Sequence, residues 1–195
     1  MTKYILVGGY VRNALDGGKG FCQELIKGFE EPVKILDCLF AEDDNSLWPE
    51  KLRKDQELLS LMLPDVDIQW QLAQISTFRQ QISWADVIYL RGGSAELLLQ
   101  NIIKEIPDIQ KLMEGKTLAG TSAGADVIAT FYYGLDTIQI MEGLGLLPIK
   151  VIVHWKSDYN APNIDWNKAY QELQDYKQPL ELITLAEGEF RVIEK

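Results

Sequence analysis

Histidine and cysteine are scarce in this chain of 195 residues, and their scarcity limits the chemistry that it can perform. There is one histidine, and there are two cysteines, Cys22 and Cys38. No Cys-x-x-Cys or His-x-x-x-His spacing occurs, so no metal site is predicted, and we expect neither a metal nor a cofactor. Both thiols lie in segments that resemble core elements, and we expect them to be reduced and buried rather than nucleophilic.

The sequence also lacks long hydrophobic runs and an excess of positive charge. The net charge is −10, with 19 basic against 29 acidic side chains, which argues against binding nucleic acid or an anionic membrane surface. No stretch approaches the roughly 20 apolar residues of a membrane span. The apolar run at residues 4–7 is too short for the core of a signal peptide. These features predict a cytoplasmic protein that contacts neither nucleic acid nor membrane.

Short apolar runs alternate with longer segments of helical periodicity, which is typical of a parallel sheet with crossover helices. The predicted strands are Tyr4–Val7, Val33–Phe40, Val66–Trp70, Asp86–Leu90, Lys116–Ala119, Lys150–Val153, Pro179–Leu185 and Glu189–Ile193. The predicted helices are Lys19–Phe29, Leu47–Leu63, Leu72–Ile82, Ser94–Ile103, Ala123–Phe131 and Ile164–Tyr176. Several runs are continuously apolar, as in strands covered on both faces. The pattern predicts one α/β domain over residues 1–195, with three layers and a mostly parallel sheet flanked by helices.

The most informative segment is Gly120-Thr121-Ser122-Ala123-Gly124, which has the G-x-S-x-G form of a nucleophile elbow. In such a turn the serine backbone is held in a sparsely populated conformation, and the hydroxyl projects outward. The backbone N–H of Ala123 would then point at any oxyanion that forms. A plain helix start, with Thr121 or Ser122 as N-cap, is the alternative interpretation.

Other polar residues follow apolar runs and are predicted to gather at one edge of the sheet. His154 follows Val151–Val153 and is the sole imidazole that could take a proton from Ser122. The alternative for His154 is a partly buried histidine with no catalytic task. A carboxylate should orient the imidazole, and we predict Glu187 first, Asp136 second and Asp158 third.

The glycine pair at 92–93 predicts a second donor, the N–H of Gly93, which would complete an oxyanion hole with Ala123. A tight strand-to-helix turn is the alternative. Three neighbouring residues are candidates for binding substrate. Arg91 could hold a carboxylate or form a surface ion pair, Ser94 begins a helix beside the glycines, and Asp126 could bind an amine or be solvated.

Together these motifs resemble peptidase family S51, the dipeptidase E and cyanophycinase-like serine hydrolases. The matching segments are Gly92-Gly93-Ser94 with Leu97-Leu98, Gly120–Ala125, Gly143-Leu144-Gly145-Leu146 leading to His154, and Leu185-Ala186-Glu187-Gly188. The resemblance implies a fold similar to class I glutamine amidotransferases (flavodoxin-like) and a Ser122–His154–Glu187 triad. Family descriptions sometimes give the third role to an aspartate, so Asp136 is kept in reserve. The order Ser…His…Glu differs from the Ser…acid…His order of α/β-hydrolases.

Two departures from the family pattern bear on specificity. Ser94 stands where family members usually carry Asn or Asp, and residues 155–177 contain lysines but no arginine, which weakens the expectation of aspartyl specificity. The leading hypothesis is a serine dipeptidase or exopeptidase that hydrolyses small peptides through an acyl-enzyme, as a monomer or homodimer. The alternatives are a non-catalytic ligand-binding member of the fold and an esterase or amidase without peptide preference.

Overall fold

A computed structural model of the protein describes residues 1–106, 108–158 and 164–195, with the backbone alone for residues 103–105. The strands are β1 (Lys3–Val7), β2 (Val33–Cys38), β3 (Ile68–Leu72), β4 (Val87–Leu90), β5 (Thr117–Thr121), β6 (Phe131–Gly134), β7 (Gln139–Glu142), β8 (Ile149–Ile152), β9 (Glu181–Thr184) and β10 (Phe190–Glu194). The α-helices are α1 (Lys19–Ile26), α2 (Trp48–Met62), α3 (Phe78–Trp84), α4 (Ala95–Glu105), α5 (Ile109–Leu112), α6 (Ala123–Ile128) and α7 (Trp166–Asp175).

Six strands form the larger sheet, in the order β10-β1-β5-β4-β2-β3. All neighbours are parallel except β10, which runs antiparallel to β1. The central strands are buried on both faces because helices cover both: Ile5 and Val7 pack with the α1 and α2 side chains, whereas Leu6 and Leu118 pack with those of α3, α4 and α6. This arrangement explains the continuously apolar runs.

A second sheet has four strands in the order β7-β6-β8-β9, with β7 antiparallel to β6 and the other pairs parallel. Tyr132 and Val151 of this sheet belong to the same hydrophobic cluster as Leu6 and Leu118 of the first. Helix α6 contacts strands of both sheets. Its N-terminus therefore lies where the ends of β5 and β8 approach each other.

The predicted α/β fold with mostly parallel strands flanked by helices is confirmed, but several predicted helices differ in extent from the observed ones, two of them because the predicted residues belong to strands. The helix predicted to reach Phe131 ends at Ile128, because the aromatic residues that follow pair with β7 and β8. The helix predicted from Leu72 begins at Phe78, because Leu72 is the last residue of β3 and pairs with Asp37 of β2. Strands β6 and β7 were not predicted.

Candidate active site

Ser122 lies in the turn between β5 and α6, in a conformation that its glycine neighbours make possible. Its backbone has φ 53° and ψ −117°, a region that costs about 1–3 kcal/mol for a residue with a side chain. A Cβ on Gly120 would lie 2.3 Å from the carbonyl oxygen of Gly124, and one on Gly124 would lie 2.2 Å from that of Leu90. The Ser122 N–H donates to the carbonyl of Val7 at 2.9 Å. Strand and helix thus approach closely enough to hold the strained turn.

His154 follows β8 and reaches Ser122 from the second sheet. Its Nε2 is 2.9 Å from Ser122 Oγ, and its backbone N–H donates to the carbonyl of Gly8 at 2.8 Å. The ring lies directly over Gly9, where a Cβ would be 2.2 Å from the imidazole Cε1. Only 5% of His154 is exposed. The glycine pair after β1 therefore makes room for the imidazole.

Glu187 follows β9 and completes the cluster. Its Oε1 is 3.4 Å from His154 Nδ1, a long contact of the kind common in sites without substrate. Ser157 Oγ donates to Oε1 at 2.5 Å, and Asn13 Nδ2 donates to Oε2 at 2.9 Å. Both carboxylate oxygens are therefore held in place by side chains from separate parts of the chain.

The protonation states of the pair follow from these surroundings. Burial lowers the pKa of His154, and the hydrogen bond and charge of Glu187 offset part of that effect. Burial pushes the pKa of Glu187 upward, but hydrogen bonds from Ser157, His154 and Asn13 outweigh it and hold the pKa below the usual value. Near neutral pH the carboxylate is charged and the imidazole neutral. With Nδ1–H directed at Glu187, the Nε2 lone pair can accept the Ser122 hydroxyl proton.

The two backbone N–H groups predicted to form an oxyanion hole belong to residues near Ser122. Ala123 is the first residue of α6, where N–H groups have no partner within the helix. Gly93 has φ 143°, and the preceding Gly92 is so near that its Cβ would lie 3.1 Å from Ser122 Cβ. Within the described residues, no acceptor is paired with the N–H of Ala123 or of Gly93. Both residues line a cavity of about 360 Å³ that also contains Ser122 and His154.

Of the candidate substrate-binding residues, Arg91 and Ser94 have structural partners. The Arg91 guanidinium pairs with Asp55 at 2.5 Å, and its side chain is only 25% exposed. The ion pair is therefore largely buried rather than on the surface, and the guanidinium already has a carboxylate partner within the protein. Burial raises the pKa of Asp55 and of neighbouring Asp37. Ser94 caps α4, with its Oγ accepting from the Leu97 N–H at 3.2 Å, and it lines the same cavity as Ser122.

The remaining carboxylates differ from Glu187 in position. Asp136 is exposed on the β6–β7 turn and lines the cavity. Among the described residues the carboxylate that contacts the His154 ring is that of Glu187, and no hydrogen bond joins Asp136 to His154. Asp158 is exposed. Asp126 is buried rather than solvated, contrary to one of the two predicted alternatives, and burial raises its pKa well above the usual value. The carboxylate beside the imidazole is therefore Glu187.

The sequence motifs did not reveal the residues that surround Glu187 and His154. Asn13 and Ser157 contact Glu187 from loops of no recognisable pattern. The Tyr10 ring lies edge-on to the imidazole, with centroids 6.0 Å apart. Only Gly9 carried a signal, as part of a glycine pair after an apolar run. The prediction of a single sheet edge was also wrong in one respect, because His154 and Glu187 follow strands of the second sheet.

The two cysteines behave as structural residues. Cys22 and Cys38 are free and buried, and burial raises the pKa of both thiols, that of Cys22 to about 12. Among the described residues, no three His, Cys, Asp or Glu side chains are arranged to hold a metal ion. None of the described helices combines the length and apolar character needed to cross a membrane.

Comparisons with known proteins bear on the fold and the family of the chain. The model of peptidase family S51 matches residues 63–195, more than half of the chain. A crystal structure of a peptidase from an acI-B1 Actinobacterium is similar, with a TM-score of 0.70 and 23% identity over 99% of this chain and 83% of that one. A Listeria monocytogenes EGD-e protein, provisionally described as peptidase E, has a TM-score of 0.67 and 15% identity over 100% and 98%.

No curated protein sequence matches the chain. The two solved structures, at these identities, support the fold, and the family match supports the type of enzyme. By that match the chain belongs to peptidase family S51 and is a serine-type peptidase.

Proposed function

We propose that this protein is an exopeptidase, most specifically a dipeptidase, that hydrolyses small peptides through an acyl-enzyme on Ser122. The observation that carries the proposal is the chain of contacts from Ser122 Oγ to His154 Nε2, at 2.9 Å, and from His154 Nδ1 to Glu187, at 3.4 Å. In this proposal the three residues form the triad, and Asp136 has no part in it. The strained backbone of Ser122 supports a role beyond helix capping.

The contacts suggest how the bond is broken. Ser122 Oγ attacks the peptide carbonyl carbon while its proton moves to Nε2 of neutral His154. As the tetrahedral intermediate collapses, the C–N bond breaks and the imidazolium returns the proton to the departing amine. A water molecule then attacks the ester carbonyl carbon and gives a proton to His154. As this second tetrahedral intermediate collapses, the bond from carbon to Ser122 Oγ breaks, His154 returns the proton to Oγ and the acid is released. Glu187 stabilises the imidazolium in both halves of the reaction.

The N–H groups of Gly93 and Ala123 are proposed to stabilise the oxyanion. Both line the cavity beside Ser122, and neither is paired with a described acceptor. Preorganised donors of this kind typically contribute a factor of about 10²–10³ in kcat each. The cavity, at about 360 Å³, is of a size suited to small ligands, which supports short peptides as substrates.

A substrate panel with Ser122→Ala tests the proposal. Wild-type protein should hydrolyse dipeptides and react with a fluorophosphonate probe, whereas Ser122→Ala should lose labelling and about 10⁴-fold or more of kcat/KM. Ser60→Ala, an exposed serine on α2, is the matched control and should retain both. Labelling or peptide hydrolysis that persists in Ser122→Ala would show that the nucleophile is misassigned.

We also place the enzyme in the cytoplasm as part of this proposal. Both cysteines are free thiols, and proteins of reducing compartments retain such thiols. Fractionation of cells that express the protein tests this placement, with recovery outside the cytosolic fraction as the contrary result.

A further inference from the structure

Two cavities meet at Ser122 and His154, and their walls carry opposite charge. The first, defined here as the acidic cavity, has a volume of about 360 Å³ and includes the carboxyl groups of Glu96, Asp126 and Asp136. The second, the basic cavity, has a volume of about 370 Å³ and lies on the other side of the pair. Its ionisable side chains include Arg12, Lys51, Lys54 and Arg91, with Glu42 and Asp55.

Asp126 in the acidic cavity has a buried acceptor oxygen to which no described residue donates a hydrogen bond. Only 7% of the residue is exposed, and its Oδ1 is buried without a hydrogen-bond partner among the described residues. A buried carboxyl oxygen without a partner is costly, and such groups in native proteins usually have a functional explanation. No lysine or arginine is among the described residues that line this cavity. A donor that carries positive charge would satisfy Asp126 and suit its two acidic neighbours.

In the basic cavity, three of the four cations are matched by carboxylates. Arg91 pairs with Asp55 at 2.5 Å, Lys51 with Glu42 at 2.5 Å, and Lys54 with Glu50 at 2.8 Å. Arg12 differs: its Nη2 donates to the uncharged backbone carbonyl of Lys54 at 3.2 Å. Among the ion pairs of the described residues, none includes Arg12. Its guanidinium is thus the cation available to an incoming anion.

We infer that the acidic cavity binds the ammonium group of a peptide's N-terminal residue and that Arg12 in the basic cavity binds the carboxylate of its C-terminal residue. The inference rests on the proposed function, because it takes the scissile carbonyl to lie at Ser122 between the two cavities. Both ends of a short zwitterionic peptide are then recognised. Because the exposed carboxylates of Glu96 and Asp136 also line the acidic cavity, an N-terminal residue with a basic side chain is favoured over one with an acidic side chain.

Binding to Ser122→Ala protein, measured by titration calorimetry, tests the inference without requiring turnover. The probes are Ala-Leu, N-acetyl-Ala-Leu, Ala-Leu amide, Lys-Leu and Asp-Leu. Blocking either end should weaken binding about tenfold or more, the usual size of a charged hydrogen bond. Lys-Leu should bind more tightly than Asp-Leu. These differences identify the charges that the protein recognises.

Second substitutions in the Ser122→Ala background assign each end to its cavity. Asp126→Asn should abolish the effect of N-acetylation and leave that of C-terminal amidation, whereas Arg12→Gln should do the reverse. Glu96→Gln, an exposed residue at the acidic cavity, is the second variant if Asp126→Asn does not fold. Arg53→Gln and Glu57→Gln remove the partners of an exposed ion pair on α2 that lies outside both cavities, and they should change neither effect.

Three results would overturn the inference: blocked peptides that bind as tightly as free ones, Asp-Leu that binds more tightly than Lys-Leu, or no peptide binding at all. Interchanged sensitivities of the Asp126 and Arg12 variants would overturn the assigned direction. Failure of the proposed function is a separate result, because it appears as labelling or hydrolysis that persists in Ser122→Ala.

Discussion

The turn that holds Ser122 and the surroundings that hold Glu187 are stabilised in different ways. The Ser122 turn depends on close backbone approach, in which Gly120 and Gly124 leave no room for a Cβ. Glu187 depends on side-chain hydrogen bonds from Asn13, Ser157 and His154. Packing of the first kind fails abruptly when an atom is added, whereas hydrogen bonds of the second kind can be removed one at a time. We therefore expect substitutions at the turn to affect folding and those near Glu187 to affect reactivity.

The largest effect on stability is expected from Gly124→Ala, which tests the close backbone approach at the Ser122 turn. The added Cβ would lie 2.2 Å from the Leu90 carbonyl oxygen, and relieving that overlap requires β4 and α6 to separate. We expect a loss of about 3 kcal/mol in the free energy of unfolding, the upper range for overpacking, measured by urea denaturation. Gly115→Ala is the control, because its Cβ would meet nothing within 4 Å and only its φ of 76° is unfavourable. Equal losses in the two variants would contradict the role of close approach.

Glu187→Gln should keep the fold and change both the rate and its pH dependence. We expect kcat/KM to fall by at least about 10²-fold and up to about 10⁴-fold, the loss typical of a triad whose carboxylate becomes an amide, because the amide no longer stabilises the imidazolium by charge. Activity requires neutral His154, so it is lost as pH falls through the pKa of that group. Since Glu187 raises this pKa and burial lowers it, removing the charge should move the acid limb to lower pH. A pH–rate profile of kcat/KM measures the shift.

Asp136→Asn is the matched control for Glu187→Gln, because Asp136 acts on His154 only through its charge, the last contribution to the pKa. Its acid limb should move less, and its kcat at saturating substrate should stay within about threefold of wild type, as expected for an exposed charge. Weaker binding in the acidic cavity would appear in KM instead. If Asp136→Asn lost more kcat than Glu187→Gln, Asp136 rather than Glu187 would be the carboxylate of the triad.

Smaller losses than that of Glu187→Gln are expected from Asn13→Ala and Ser157→Ala, which remove single donors to Glu187. Each substitution should raise the pKa of Glu187, because the lost hydrogen bond stabilises the charged form. We expect kcat/KM to fall about tenfold in each, with the unfolding midpoint changed little. Ser157→Thr keeps a hydroxyl and should restore most of the rate. No rescue by Ser157→Thr, or a loss equal to that of Glu187→Gln, would show that the donors do more than orient the carboxylate.

Much of the site could be predicted because its residues follow apolar runs. The strand-end positions of Ser122, His154 and Glu187 predicted a convergence that the structure contains, although their catalytic roles stay predictions. The two-sheet arrangement could not be read in the same way, because Phe131-Tyr132-Tyr133 continues a helix-compatible segment without a turn signal. The burial of Asp126 was likewise hidden, since one acidic residue in a short helix is more often solvated.

The available chemistry can be taken from the amino-acid sequence: one imidazole, one serine between glycines at a strand-to-helix corner, and alternating strands and helices of an α/β fold. These are properties of local spacing and residue type, which act over a few positions. Three features depend on the folded chain: which carboxylate faces the imidazole, the hydrogen bonds that Asn13 and Ser157 donate to it, and the cavities of opposite charge beside Ser122. Those contacts join residues more than 100 positions apart in the case of Asn13 and Glu187, and packing of the whole chain, not local pattern, brings such residues together.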